Sequence, residues 1–406
     1  MPDMQMPGMP MPGTPASGHG MQMNAAGMYM MNEASGTSHN PASWPMPMLM
    51  PRVGSWNTML MGGLFAVDTQ QSGPRGGDKF FSTSMFMADA EHGLAGGSFM
   101  LDSMFSLEPA LITERRYPEL FQTGETAFGK AIVDGQHPHN FVMALGVMYA
   151  HKAGSVMMEV YAAPVGDPAI GPVAYAHRAS AAELPQAPLG HHWQDSTHIS
   201  YDVVTVSAQR GDFRLEASGF HGAEPDENRW TIGYGAIDSW SSRLSWMPTR
   251  NWNAQFSAGR LTHPESTDPG DQIRTTASVA YTRPIRRSAW SSSAIWGRNH
   301  NTSTQRNLNS YLLESVAPIG ARNFVTGRFE LVDKDELLPS GAVFRIGAYT
   351  AGYTRDIPSP FRLVETGVGA NVTFYSTPSA IKPYYGQHPM GASMFLRFRL
   401  KPAEKN

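Results

Sequence analysis

Cysteine is absent from the 406 residues. That excludes disulfide scaffolds, zinc–thiolate sites and cysteine nucleophiles. Charge is scarce, at 16% of residues, and nearly balanced, with a net charge of -3. No basic run offers a surface for a polyanion, so no nucleic-acid partner is expected. No stretch reaches the roughly 18 consecutive apolar residues of a membrane helix. The first 50 residues also lack an apolar run of about 7–15 residues. The chain is therefore expected to be cytosolic, or to be a mature or truncated form whose leader has been removed. The motifs GxSxG, HExxH, the P-loop and the dinucleotide fingerprint are missing too.

Glycine is abundant, with 40 residues, and aromatics make up 10%. Half of the 26 methionines fall within residues 1–53, among Pro, Gly, Ser and Asn. This stretch has no apolar periodicity and too little apolar surface to offset its ordering entropy. It reads as a disordered tail over 1–53, ahead of one domain over 54–402.

From Gly54 onward the pattern has period two. Phe213, Leu215 and Ala217 alternate with Arg214, Glu216 and Ser218. Val325, Phe329 and Leu331 alternate with Thr326, Arg328 and Glu330. About sixteen such segments follow one another, each long enough for the roughly 9–11 residues of a tilted membrane strand. The connections alternate between long and short, as in barrels with long loops on one side of a membrane and tight turns on the other. The expected fold is all-β: an antiparallel up-and-down transmembrane barrel of about 14–16 strands with a disordered N-terminal tail. Aromatics near strand ends, including Trp56, Tyr161, Trp246, Trp252, Tyr281, Trp290, Tyr353, Phe361 and Tyr375, fit interfacial girdles. Charges on the polar faces fit a hydrated lumen, unless loops fill it.

Two groups of residues could carry chemistry. The first is the tail, where Met4-x-Met6, Met9-x-Met11, Met21-x-Met23, Met28-x-Met30 and Met46-x-Met48 repeat one unit, with His19 and His39 among them. A thioether is a soft, neutral ligand suited to Cu(I). The second is a pair of histidine clusters in the two longest loops. "DGQHPHN" carries His137 and His139, and "GHHWQDSTH" carries His191, His192, Asp195 and His198. Both loops lie at one barrel end, so they can fold inward and meet. Imidazoles with Asp195 would suit Cu(II) or Zn(II), or would tie the loops together by hydrogen bonds. A third reading is a lipid hydrolase using Ser196, His198 and Asp195. It lacks any supporting motif, and the chain is read as a non-enzyme without a required cofactor.

A Met-rich tail on an alternating-loop barrel resembles the copper-resistance outer-membrane B proteins of Gram-negative bacteria. The segments "DGQHPHN", "APVGDPAIGPVAYAHRASAAELPQAPLGHHWQDSTHIS" and "AEPDENRW" resemble a family of uncharacterised outer-membrane proteins associated with heavy-metal efflux and resistance. The resemblance implies an outer-membrane location with both termini in the periplasm. It implies soft-metal handling or export, and as partners outer-membrane lipid and periplasmic copper carriers or efflux components. The alternative is a general or solute-specific porin with an incidental tail.

Overall fold

A computed structural model describes residues 23–401, apart from 268 and 287. Sixteen antiparallel strands of 9–18 residues close into one barrel. In chain order they are β1 Trp56–Gln71, β2 Gly77–Leu94, β3 Gly97–Phe105, β4 Val142–Ala153, β5 Val156–Gly166, β6 Ser200–Arg210, β7 Phe213–His221 and β8 Ser239–Thr249. They continue as β9 Trp252–Leu261, β10 Gln272–Ile285, β11 Ser288–Asn301, β12 Asn307–Ile319, β13 Asn323–Lys334, β14 Phe344–Ile357, β15 Val364–Ser376 and β16 Met390–Leu400. Each strand pairs with its chain neighbours, and β16 closes on β1 from Gly391↔Gln71 to Arg399↔Gly63. Among the described residues, closure leaves no edge of the barrel sheet unpaired, which a lipid environment requires.

Period two sorts the side chains. Leu215, Leu244, Phe256 and Phe329 stand exposed on the outer wall, while Arg214, Glu216, Arg243 and Arg328 are buried inside. An apolar exterior is what hydrocarbon demands. Trp252, Tyr281 and Trp290 form a belt at the short-turn rim, with successive ring centroids 4.6 and 5.6 Å apart. Tyr161 and Tyr375 do not belong to a girdle. Tyr161 faces inward and donates to Asp102 Oδ2 at 3.0 Å, and Tyr375 packs on Phe121 inside.

The connections alternate as expected, with two local corrections. The first loop is only 72–76, because β1 continues to Gln71. Likewise "DAEHGLA" is mostly strand, and the turn is Ala95-Gly96, both at positive φ.

The lumen is not a hydrated channel. Three insertions fill it: residues 23–44, the loop 106–141 and the loop 167–199. The first corrects the expected tail boundary, since 23–53 is built into the barrel. A short helix, Ala25–Met30, is capped by Asn24, whose Oδ1 accepts from Gly27 N at 2.9 Å. Beyond it, Thr37 Oγ1 donates to Glu216 at 2.6 Å, and Arg214 donates to Glu33 at 2.9 Å. The wall charges had no partner in sequence, so they read as lumen-facing; their partners come from the insertions and from neighbouring strands, as Arg243 on Glu216 and Arg328 on Glu314. The second insertion contains a hairpin, Tyr117–Ala127 with Lys130–Gln136, held by Lys334 Nζ on Gln122 at 3.0 Å. The third is fixed by Arg178, whose Nε reaches Glu314 on β12 at 2.6 Å. Two cavities between wall and insertions measure about 30 Å³ each, room for about one water. Larger cavities of about 410 and 320 Å³ lie at the short-turn and long-loop ends respectively.

Candidate metal centre

The two histidine-bearing loops fold inward and their clusters meet. Ring centroids of His137 and His192 lie 5.5 Å apart, those of His139 and His198 5.2 Å, and those of His191 and His198 5.3 Å. All five imidazoles are buried. The hairpin delivers His137 and His139. The short helix His191–Gln194 and the turn Ser196–His198 deliver the rest. Close approach needs glycine at 124, where φ is +118° and a Cβ would sit 2.5 Å from the His192 ring.

Hydrogen bonding fixes the tautomers. His137 Nδ1 lies 3.1 Å from the Pro138 carbonyl, and His198 Nδ1 lies 2.7 Å from the Asp195 carbonyl. A carbonyl only accepts, so in each ring Nδ1 carries the proton. Nε2 of His198 is left with its lone pair, whereas Nε2 of His137 faces Glu125 Oε1 at 3.2 Å. His191 Nδ1 faces Asp195 Oδ1 at 2.7 Å, and the carboxylate accepts the hydrogen bond from Nδ1–H. This oxygen-on-Nδ1 arrangement is how proteins orient metal-ligating histidines. His198 Nε2 has no hydrogen-bond partner, and His192 has only Glu224 Oε2, 3.6 Å from its Nδ1. Burial, then the neighbouring imidazoles His192 and His191, push the His137 pKa well below the ordinary value. Burial with His139 and His191 does the same at His198. These rings are neutral, so no proton must leave before a cation binds.

The carboxylates have distinct tasks. Asp195 spans His191 and Arg178, the latter at 2.9 Å, and orients rather than ligates. Burial alone would raise its pKa, but His191 and Arg178 hold it well below the usual carboxylate range. Glu108 accepts from His139 N at 2.8 Å and faces His139 Nδ1 at 3.0 Å, while Tyr175 Oη meets His139 Nε2 at 3.2 Å. His139 is thereby committed on both sides. A further group joins His192 with Glu224 and Glu265, whose ligand atoms all lie within 4.8 Å of one another. Glu108, Tyr175, Glu224 and Glu265 were not singled out in sequence. The available signal was position: all four lie in long loops at the same barrel end as the histidines.

The other sequence candidates separate. Met4, Met6, Met9, Met11 and Met21 lie outside the described residues, as does His19. Met30 is fully buried, Met23, Met46 and Met48 pack against the same interior cluster, and Met28 is half exposed. His39 faces Arg214 Nη1 at 2.9 Å, far from the imidazole cluster in its contacts. The hydrolase arrangement is not assembled: Ser196 Oγ donates to Glu224 and accepts from Arg274, each at 2.9 Å, while His198 turns Nδ1 to a backbone carbonyl.

No family model matches the chain, and no curated relative matches it. Solved structures do. An anion-selective porin from Comamonas acidovorans superposes with TM-score 0.50 at 12% identity, over 85% of this chain and 99% of that one. OmpF of Salmonella typhi, in complex with daunomycin, gives TM-score 0.53 at 8% identity, over 86% and 100%. A loop-deletion mutant of OmpT, an outer-membrane protein of Vibrio cholerae, gives 0.51 at 8%, over 85% and 100%. At such identities the likeness is one of fold, and the fold is the porin-like barrel of outer-membrane proteins.

Proposed function

We propose that this outer-membrane barrel binds a borderline divalent metal ion, Cu(II) or Zn(II), inside its lumen. The observation that carries this reading is the shared tautomer of His191 and His198. Each ring gives Nδ1 to an oxygen and leaves Nε2 as the ligating nitrogen, inside one buried group of five imidazoles. A purely structural cluster would satisfy both nitrogens of each ring, whereas His198 Nε2 has no hydrogen-bond partner and His192 has only Glu224 at 3.6 Å. Imidazole with carboxylate is a donor set for Cu(II) or Zn(II) and a poor one for Mg(II). The M-x-M units of residues 4–48 extend the reading to copper handling, with both termini in the periplasm and periplasmic carriers as partners.

A second reading has its own support. The fold neighbours include porins, so passive solute diffusion is the direct alternative. The filled lumen weighs against a permanently open pore. Two measurements on the full-length protein separate the readings. Calorimetric titration with Cu(II) or Zn(II) should give saturable binding that falls at least tenfold in His191→Ala and His198→Ala. Equal binding in wild type and variants sinks the metal reading. Planar-bilayer recordings should show low conductance; a large, metal-insensitive ohmic conductance supports the porin.

A further inference from the structure

Of the thirteen methionines beyond residue 53, ten fall between residues 59 and 158, on the first five strands: Met59, Met61, Met85, Met87, Met100, Met104, Met143, Met148, Met157 and Met158. Met158 faces outward. The other nine pack into or against one buried cluster with Met30 and Met31.

Strand register orders them further. Met48, in the short strand Met48–Leu49, pairs with Met61 on β1. Met61 pairs with Met87 on β2, and Met87 pairs with Met104 on β3. Directly opposed residues have Cα atoms about 4.5–5.5 Å apart, so neighbouring thioethers in this row are within mutual reach. The row crosses β1 to β3 along directly opposed pairs, and Met104 is the residue before the last of β3, where the second insertion begins. At that end, His177 Nε2 lies 3.1 Å from Met104 Sδ. His177 is buried and its Nδ1 has no hydrogen-bond partner.

A second observation concerns charge. Asp89 and Asp102 occupy the inward positions two residues along from Met87 and Met104. Both are buried, and their carboxyl groups face each other, which needs a shared proton or a cation between them. Asp89 also stands opposite Met59 on β1.

We propose that the row Met48, Met61, Met87 and Met104, ending on His177, is a binding track for a soft monovalent ion, Cu(I) or Ag(I), along the lumen wall. Thioether and neutral imidazole together are a soft donor set that favours such an ion over Zn(II) or Mg(II). The Asp89–Asp102 pair, sharing one proton, supplies one balancing negative charge without entering the donor set. His177 Nε2 already lies on the Met104 sulfur and its Nδ1 has no hydrogen-bond partner, so the ring is free to ligate. His139 acts on it electrostatically, which brings the track to the edge of the histidine cluster. The proposal rests on the metal reading above only for where the ion goes next; its donors are separate residues.

The test uses full-length protein in detergent with the methionines of residues 1–22 replaced by leucine, so that they contribute nothing. Silver(I) is the redox-inert probe, followed by competition titration and X-ray absorption. The expected result is at least one bound Ag(I) with a mixed sulfur and nitrogen shell. The triple variant M61L/M87L/M104L, which conserves volume, should weaken binding at least tenfold. His177→Gln should remove nitrogen from the shell. Heat-modifiable gel mobility confirms that each variant is a folded barrel. Silver binding unchanged in a folded triple variant, or a shell without sulfur, overturns the proposal. Loss of Cu(II) or Zn(II) binding in His191→Ala with silver binding intact leaves the track standing and isolates the imidazole site as a separate one.

Discussion

Arg214, on the barrel wall, donates both of its terminal nitrogens to Glu33 Oε1 at 2.9 Å, across 181 residues of sequence. One nitrogen also reaches Glu159 at 2.6 Å. The N-terminal segment is therefore locked to β5 and β7 by a buried charge cluster. Removing Glu33 leaves Arg214 paired with Glu159 and Glu216, and takes away only the segment's own ionic tie to the wall. Glu33→Ala should release the segment. Limited proteolysis is expected to cut within residues 23–44 in the variant and to leave the wild type intact.

Arg178 does the same for the loop 167–199, bridging Glu314 at 2.6 Å and Asp195 at 2.9 Å. Arg178→Ala should free that loop and widen the lumen. Single-channel conductance is expected to rise several-fold over wild type. Unchanged conductance would mean that the loop is held by its other contacts.

The buried imidazoles set a pH dependence. Burial, first of all, lowers the pKa of His137, His177, His191 and His198. The unfolded chain thus binds more protons than the folded one below the ordinary histidine value of about 6.5. The stability they contribute is present above that pH and is lost as pH falls from it towards the folded value, about 3 for His177. Acidification from pH 7 to 5 should loosen the loops before the barrel, seen as faster hydrogen exchange in 137–139 and 191–198. Saturating Zn(II) should oppose the change if the cluster ligates it.

Gly124 holds a φ of +118° and leaves no room for a Cβ beside His192. Gly124→Val should displace the hairpin, weaken divalent-ion binding at least tenfold, and leave barrel assembly on gels unchanged.

Leu244 is exposed in the middle of β8 and faces lipid. Leu244→Arg should destabilise the membrane-inserted state by about 2–4 kcal/mol, the usual cost of a cation near the bilayer midplane. Equilibrium refolding into lipid vesicles measures it. Serine at 245, which points inward, should tolerate polar substitution better.

Alternation made the barrel legible. Leu215 and Leu244 turn out because every second residue of a strand faces one side, and a membrane wall keeps one side apolar over its whole length. The same rule failed on β1 to β3. There Met59 and Met61 point inward while Leu60 points out, so both faces are apolar and the lumen side was not marked. The histidine clusters were visible as composition in long loops. Their partners Glu108, Glu224 and Glu265 were not, since single carboxylates in loops carry no periodic signal.

Local sequence by itself determined the strands, their order, the alternating loops and the apolar exterior, because these depend on neighbours one or two residues away. Only the tertiary structure decided what fills the lumen. Glu33 meets Arg214, Arg178 meets Glu314 and His137 meets His192 across 181, 136 and 55 residues. Those pairings form because charged and polar groups enclosed by the barrel must find partners. The chain supplies them from segments whose own sequences carry no regular pattern.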